Sequence, residues 1–169
     1  MSRNRPLIIE TVADDLEKAA CEHLPLRRGS RAIFFVDGKL CLLHLKNIER
    51  YTLPGGGIEP DETAEEALIR EVKEETGYTV ATFEKTVILK EYFPDSRWEH
   101  HYYRCTVKGR PDELKLTEEE SDTFGLRVTL KPLEEALQIF SDPETSTLEP
   151  YTPAIHTREL MGLIHSLED

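Results

Sequence analysis

Between Leu53 and Gly77 the chain reads LPGGGIEPDETAEEALIREVKEETG, three consecutive glycines feeding a strongly signalled helix. Thr63 is an N-cap residue with Glu66 three positions on, the spacing of a capping box. Ala64 to Arg70 are mostly good helix formers, and Gly77 supplies the stop that favours a left-handed backbone. The spacing predicts a helix over about residues 64–76. With Leu68 set at zero on a wheel of 100° per residue, Ala64 and Val72 fall at about −40° and +40°. On the same wheel Glu75, Glu71 and Glu74 fall at about −20°, −60° and −120°. Three carboxylates thus share an arc of about 100° that overlaps the apolar stripe, while Glu66, Lys73 and Arg70 lie opposite.

Carboxylates on a surface helix belong on its outer face. Turned inward, they are costly unless a cation neutralises them. An all-oxygen donor set suits Mg²⁺ or Mn²⁺ better than zinc. Three glycines let the preceding backbone turn tightly and approach a ligand closely, so a carbonyl of Gly55 or Gly56 could join the ligand shell. The stretch is neither a P-loop, since no Gly-Lys-Ser/Thr follows, nor a dinucleotide fingerprint. Arg70 has Glu66 four residues before it and Glu74 four after, a modest surface pairing by itself. Glu62 could favour the helix N-terminus or reach the site through a metal-bound water.

From Gly56 the pattern is G-x5-E-x7-R-E-Φ-x-E-E-x-G, with Φ apolar. Seven fixed residues at background frequencies of about 5–7% coincide on the order of once in 10⁸ to 10⁹ starts. The pattern resembles the Nudix box of the Nudix hydrolase superfamily; Tyr78 departs from it, standing where the family usually has an aliphatic residue. The resemblance implies an α/β fold, an α/β/α sandwich with a mixed β-sheet. It implies a metal-dependent hydrolase cleaving the pyrophosphate bond of a nucleoside diphosphate linked to a further group. It implies Glu71, Glu74 and Glu75 as metal ligands, with Arg70 holding the glutamates in position. One of these carboxylates, or an acid from a later loop, would be the general base. Within Leu116–Asp122, Glu120 and Glu119 are the leading candidates for that extra acid and ligand. Glu71, Glu74, Arg70 and Glu62 are therefore the expected catalytic set, and Glu71, Glu74, Glu75, Gly55, Gly56 and Glu120 the expected metal set. The alternatives are a noncatalytic nucleotide-sensing domain of the same kind and a diphosphate isomerase.

Composition narrows the partners. The net charge of −12 disfavours nucleic-acid polymers and anionic membranes, but not a small phosphorylated substrate whose charge a metal offsets. No apolar run approaches membrane-spanning length, and Met1–Pro6 lacks the apolar core of a signal peptide. Cys21, Cys41 and Cys105 form no CxxC pair and no zinc spacing, consistent with reduced thiols in a cytoplasmic protein.

The length allows one domain over residues 1–169, with 1–28 as an N-terminal extension and 141–169 as a loop and helix. Strands are expected at 7–12, 31–36, 39–45, 51–53, 79–91, 101–108 and 123–130. Asp37-Gly38 reads as a tight hairpin turn, and Asp14–His23 as a short helix or part of the extension. Pro132 opens a helix to Phe140, Ser141–Pro153 is loop-rich, and a last helix covers about 154–167. The extension and the last helix could build a homodimer. For the substrate, Arg31 is a candidate phosphate contact. Tyr92 and His101 belong to an aromatic stretch that could hold a nucleobase. His100 and His101, adjacent on a strand, should face opposite ways.

Overall fold

The computed structural model describes residues 5–142 and 152–168, so most of the expected loop 141–153 lies outside the described residues, as do residues 1–4. Two sheets form its middle layer. The first has the strand order β1-β7-β8-β2-β6, built from β1 (Leu7–Val12), β7 (Thr79–Tyr92), β8 (Arg97–Lys108), β2 (Leu26–Ile33) and β6 (Gly55–Gly57). It is mixed, because β1 runs parallel to β7 and β2 parallel to β8, while β7–β8 and β2–β6 are antiparallel. In the second, β4 (Lys39–Leu45) pairs with β3 (Phe35–Val36), β5 (Arg50–Thr52) and β9 (Leu126–Lys131). Helix α1 (Ala64–Thr76) covers one side; α2 (Leu133–Ser141) and α3 (Thr152–Leu167) cover the other.

Strand alternation divides the core. Ala32, Phe34, Cys41 and Tyr103 pack against Ala64, Leu68 and Val72 of α1. Their chain neighbours Ile33, Leu40, Leu42 and Tyr102 pack with Phe140 of α2 and Leu163 of α3. Each fully buried aliphatic side chain contributes about 1.5–3 kcal/mol, so α1 is clamped by its stripe whatever its glutamates do.

The capping box of α1 is complete: Glu66 N–H donates to Thr63 Oγ1 at 3.1 Å and Thr63 N–H to Glu66 Oε2 at 2.8 Å. Gly77 ends the helix at φ 76°. Asp37 and Gly38 both have positive φ, 50° and 78°, the backbone of the two-residue turn that joins twisted strands.

Several boundaries differ from expectation. The glycine loop is a strand: Gly55, Gly56 and Gly57 pair with Arg31, Ser30 and Gly29. Gly55 makes this possible, since at φ 146° a Cβ there would lie 1.9 Å from the Ser30 carbonyl oxygen. β2 starts at Leu26 and β8 at Arg97, each several residues early, because the two pair in parallel from Leu26↔Arg97 onward. Residues 14–23 form only one 3-10 turn, Lys18–Cys21. The strand expected from Thr123 starts at Leu126, because Glu119–Thr123 forms a π-type turn instead. Part of the expected N-terminal extension, β1, is an edge strand of the first sheet.

Candidate active site

The inward phase of α1 places Glu71 and Glu75 under the glycine strand. Both are buried, with 9% and 4% of their surface exposed. Gly55 N–H donates to Glu75 Oε2 at 2.9 Å. Gly56 lies so close to Glu71 that a Cβ would be 2.6 Å from its carboxylate carbon. Glu120 joins them from the loop before β9, and one carboxylate oxygen from each of Glu71, Glu75 and Glu120 lies within 4.8 Å of the others.

The Glu120 loop is pinned at several points. Asp112 N–H donates to Gly77 O and Lys115 N–H to Glu74 O, both at 2.8 Å, and Lys73 Nζ pairs with Asp112. Asn47 Nδ2 donates to the carbonyls of Asp122 and Thr123 at 3.2 and 3.1 Å. Thr117-Glu118-Glu119-Glu120 is itself a capping box: Thr117 N–H donates to Glu120 Oε2 at 2.8 Å and Glu120 N–H to Thr117 Oγ1 at 3.2 Å. Glu119 is exposed and outside the cluster.

The box glutamates are not equally placed. Glu74 sits at the rim with 38% of its side chain exposed, held by Arg70 Nη1 at 3.3 Å, and is absent from the close group of Glu71, Glu75 and Glu120. Arg70 is a hub, not a surface partner for Glu66. It donates to Glu62 Oε1 at 2.6 Å and Oε2 at 3.1 Å, to Glu71 Oε1 at 2.7 Å and to the Gly57 carbonyl at 3.1 Å. Glu62 also accepts Glu59 N–H at 2.9 Å, so its carboxylate braces Arg70.

The electrostatics follow from this packing. Burial raises the Glu71 carboxyl above its usual range, against the opposing pull of Arg70. Burial also pushes Glu75 up to about 8; the Gly55 amide opposes this and the Glu71 charge adds to it. Glu62 moves the other way, held low chiefly by its bonds to Arg70. Two buried carboxyls facing a third at short range form an oxygen-only donor set that resists ionising without a neutralising partner. That set fits a hard divalent cation, which takes oxygen ligands.

Of the candidate substrate contacts, Arg31 lies nearest. It pairs with Gly55 across β2–β6, its Nε is 3.7 Å from Glu159 Oε1, and its charge lowers the Glu75 carboxyl. Tyr92 instead approaches Glu10, with its hydroxyl 3.5 Å from Oε1 and Lys18 Nζ 5.5 Å from its ring centre. His101 is buried and bonded to Glu99 at 2.6 Å. His100, on the opposite face, is bonded to Glu91 at 3.1 Å. The three cysteines are free, and burial pushes the Cys41 and Cys105 thiols up to about 12.

A cavity of about 280 Å³ opens between the ends of β1 and β7 and helix α3, with Thr11, Glu91, Phe93, Arg158 and Met161 in its wall. Sequence reasoning missed Glu91, Arg158 and Glu159. A signal for Glu159 was present: it is one α-helical turn from Leu163, so it shares that residue's buried stripe.

The chain is similar to several known proteins. A profile of the NUDIX domain matches residues 25–151. The chain is 35% identical over 71 residues to a Bacillus subtilis (strain 168) protein named "Putative 8-oxo-dGTP diphosphatase", the match covering 42% of this chain and 46% of that one. It is 38% identical over 85 residues to nucleoside triphosphatase NudI of Escherichia coli O1:K1, covering 43% and 58%. The matches thus span about half the length of these curated relatives. Among solved structures, a mutator MutT protein from Bacillus halodurans superposes with a TM-score of 0.55 at 25% identity, covering 67% of this chain and 72% of that one. The profile match covers most of the chain, and the fold superposes on that solved structure: the protein belongs to the NUDIX domain family.

Proposed function

We propose that the protein is a pyrophosphohydrolase that cleaves a phosphoanhydride bond in a small nucleoside di- or triphosphate derivative, using Mg²⁺ or Mn²⁺. The observation that carries this reading is the convergence of Glu71, Glu75 and Glu120 within 4.8 Å beside a glycine strand whose Gly56 abuts the Glu71 carboxylate. Glu71, Glu75 and Glu120 would hold the cation, with a carbonyl of Gly55 or Gly56 available beside them. Such a cation, when bound, offsets pyrophosphate charge and lowers the pKa of a bound water.

The chain's own groups supply the rest. Arg70 fixes Glu71 on one side and Glu62 on the other, so the carboxylates are oriented before substrate arrives. We assign proton acceptance to Glu74, whose carboxylate is the most accessible of the box glutamates. The water oxygen bonds to phosphorus, its proton passes to Glu74, and the anhydride oxygen departs with the electron pair on the leaving phosphate. Arg31 adds a positive charge on the far side of Gly55. The names of the relatives favour a free nucleotide over a polymer, in keeping with the −12 net charge. Among the described residues no helix is long and apolar enough to cross a membrane. We read the chain as one unit acting in the cytoplasm.

A panel assay tests this. With Mg²⁺ or Mn²⁺, nucleoside triphosphates, 8-oxo-dGTP, ADP-ribose, NADH, dinucleoside polyphosphates and nucleotide sugars are incubated and the products resolved by chromatography. Turnover of at least one, lost in Glu75→Gln, is expected. Saturable binding without turnover across the panel would instead establish a nucleotide sensor.

A further inference from the structure

Glu159 lies on α3, about a hundred residues along the chain from the glycine strand, and its carboxylate is fully buried. An isolated charge there would be costly. Its Oε2 accepts the Leu53 amide at 2.8 Å and the Thr52 hydroxyl at 3.3 Å. Its Oε1 accepts the Tyr102 hydroxyl at 3.0 Å and lies 3.7 Å from Arg31 Nε and 3.5 Å from Arg158 Nε. The approach of α3 to the sheet depends on Gly162, where a Cβ would be 2.2 Å from the Tyr102 ring.

Leu53 is two residues from Gly55, and little slack separates them. The ring of Pro54 restricts the backbone, and its carbonyl accepts Ala32 N–H at 2.8 Å. Gly55 then donates to Glu75. Arg31 faces Gly55 across the pairing, and its buried Nε has no hydrogen-bond partner among the described residues, so the neighbouring Glu159 charge holds it. One side chain of α3 therefore secures both the segment that enters the glycine strand and the residue that faces it.

We infer that Glu159 is a positioning residue: it sets the Leu53–Gly55 backbone and Arg31, and through them the orientation of the Glu75 carboxylate. The inference rests on reading Glu71, Glu75 and Glu120 as the cation site. Glu159 itself touches neither cation nor substrate. Groups bonded directly to metal ligands typically cost about 10–100-fold in affinity or activity when changed; Glu159 acts on Glu75 through the Gly55 amide, and the same range is expected for it.

Glu159→Gln and Glu159→Asp test it. Gln keeps the volume and loses the charge; Asp keeps the charge for Arg31 and Arg158 but is one methylene short of the Leu53 amide. Two readouts are taken: Mn²⁺ affinity by calorimetry, and hydrogen exchange of individual amides in the metal-free protein. Each variant is expected to bind Mn²⁺ about 10–100-fold more weakly. Exchange should quicken at Leu53 and Gly55 and stay at the wild-type rate in α1. A folded variant with Mn²⁺ affinity within about twofold of wild type, or with Gly55 protected as in wild type, overturns the inference. If Glu159→Gln does not fold, Glu159→Asp, which retains the ion pairs, decides the matter. A wild-type protein that binds no Mn²⁺ would sink the cation-site reading, and the Gly55 exchange rate would still decide the role of Glu159.

Discussion

Arg70 grips Glu62 through a two-pronged contact, Nη2 to Oε1 at 2.6 Å and Nε to Oε2 at 3.1 Å. The same guanidinium reaches Glu71 and the Gly57 carbonyl. A lysine cannot reproduce this fork. Arg70→Lys is expected to lose about 1–2 kcal/mol, the low end for charged hydrogen bonds because the side chain is partly exposed. The urea midpoint checks this, and a wild-type value would show that the hub adds no stability.

The three adjacent glycines should respond differently to alanine. Gly55→Ala puts a Cβ against the Ser30 carbonyl at positive φ and is expected to cost about 3 kcal/mol or more. Gly56→Ala meets only the movable end of Glu71, so melting should change little while Mn²⁺ affinity falls. Gly57→Ala enters open space and should stay within about 0.5 kcal/mol of wild type. Melting curves and Mn²⁺ titrations of the three variants check the ranking; an inactive Gly57→Ala or a silent Gly56→Ala contradicts it.

A cation that relieves repulsion among Glu71, Glu75 and Glu120 stabilises the folded state by mass action. At a hundredfold excess over Kd, Mg²⁺ or Mn²⁺ is expected to raise Tm by about 5–10 °C for a chain of this size. Glu75→Gln and Glu120→Gln should lose most of that shift. A full shift in Glu120→Gln would remove Glu120 from the ligand set.

His156 provides a pH signature away from the site. Its Nε2 accepts Tyr51 N–H at 3.3 Å, and burial, aided by the Arg50 charge, lowers its pKa below 6.5. The folded state therefore resists protonation more than the unfolded chain does. The associated stability is complete above about pH 6.5 and is lost as pH falls through the lowered folded value. Wild type should lose more Tm between pH 7.5 and 5.5 than His156→Gln does. Equal losses would assign the acid sensitivity elsewhere.

Much of the site could be read from neighbours along the chain. The capping box at Thr63, the stop at Gly77 and the inward phase of Glu71 and Glu75 all depend on contacts within a few residues, which helix geometry makes predictable. Glu74 shows the limit of a helical wheel. It sits at the edge of the arc, and only the contact with Arg70 in the folded chain shows that it stays at the rim. The glycines were legible as a close approach, but not as a strand, because their partner β2 lies about 25 residues upstream.

The order of residues alone determined a capped helix with three carboxylates on an arc that overlaps its apolar stripe, since 3.6-residue periodicity and local hydrogen bonds require nothing beyond the segment itself. Tertiary structure decided what meets those carboxylates, the Gly55 amide and Glu120 from a pinned loop, and it set Glu159 behind the strand against the Leu53 amide. Burial in the assembled fold, absent in any isolated segment, is what raises Glu71 and Glu75, so that only a neutralising partner lets them ionise together.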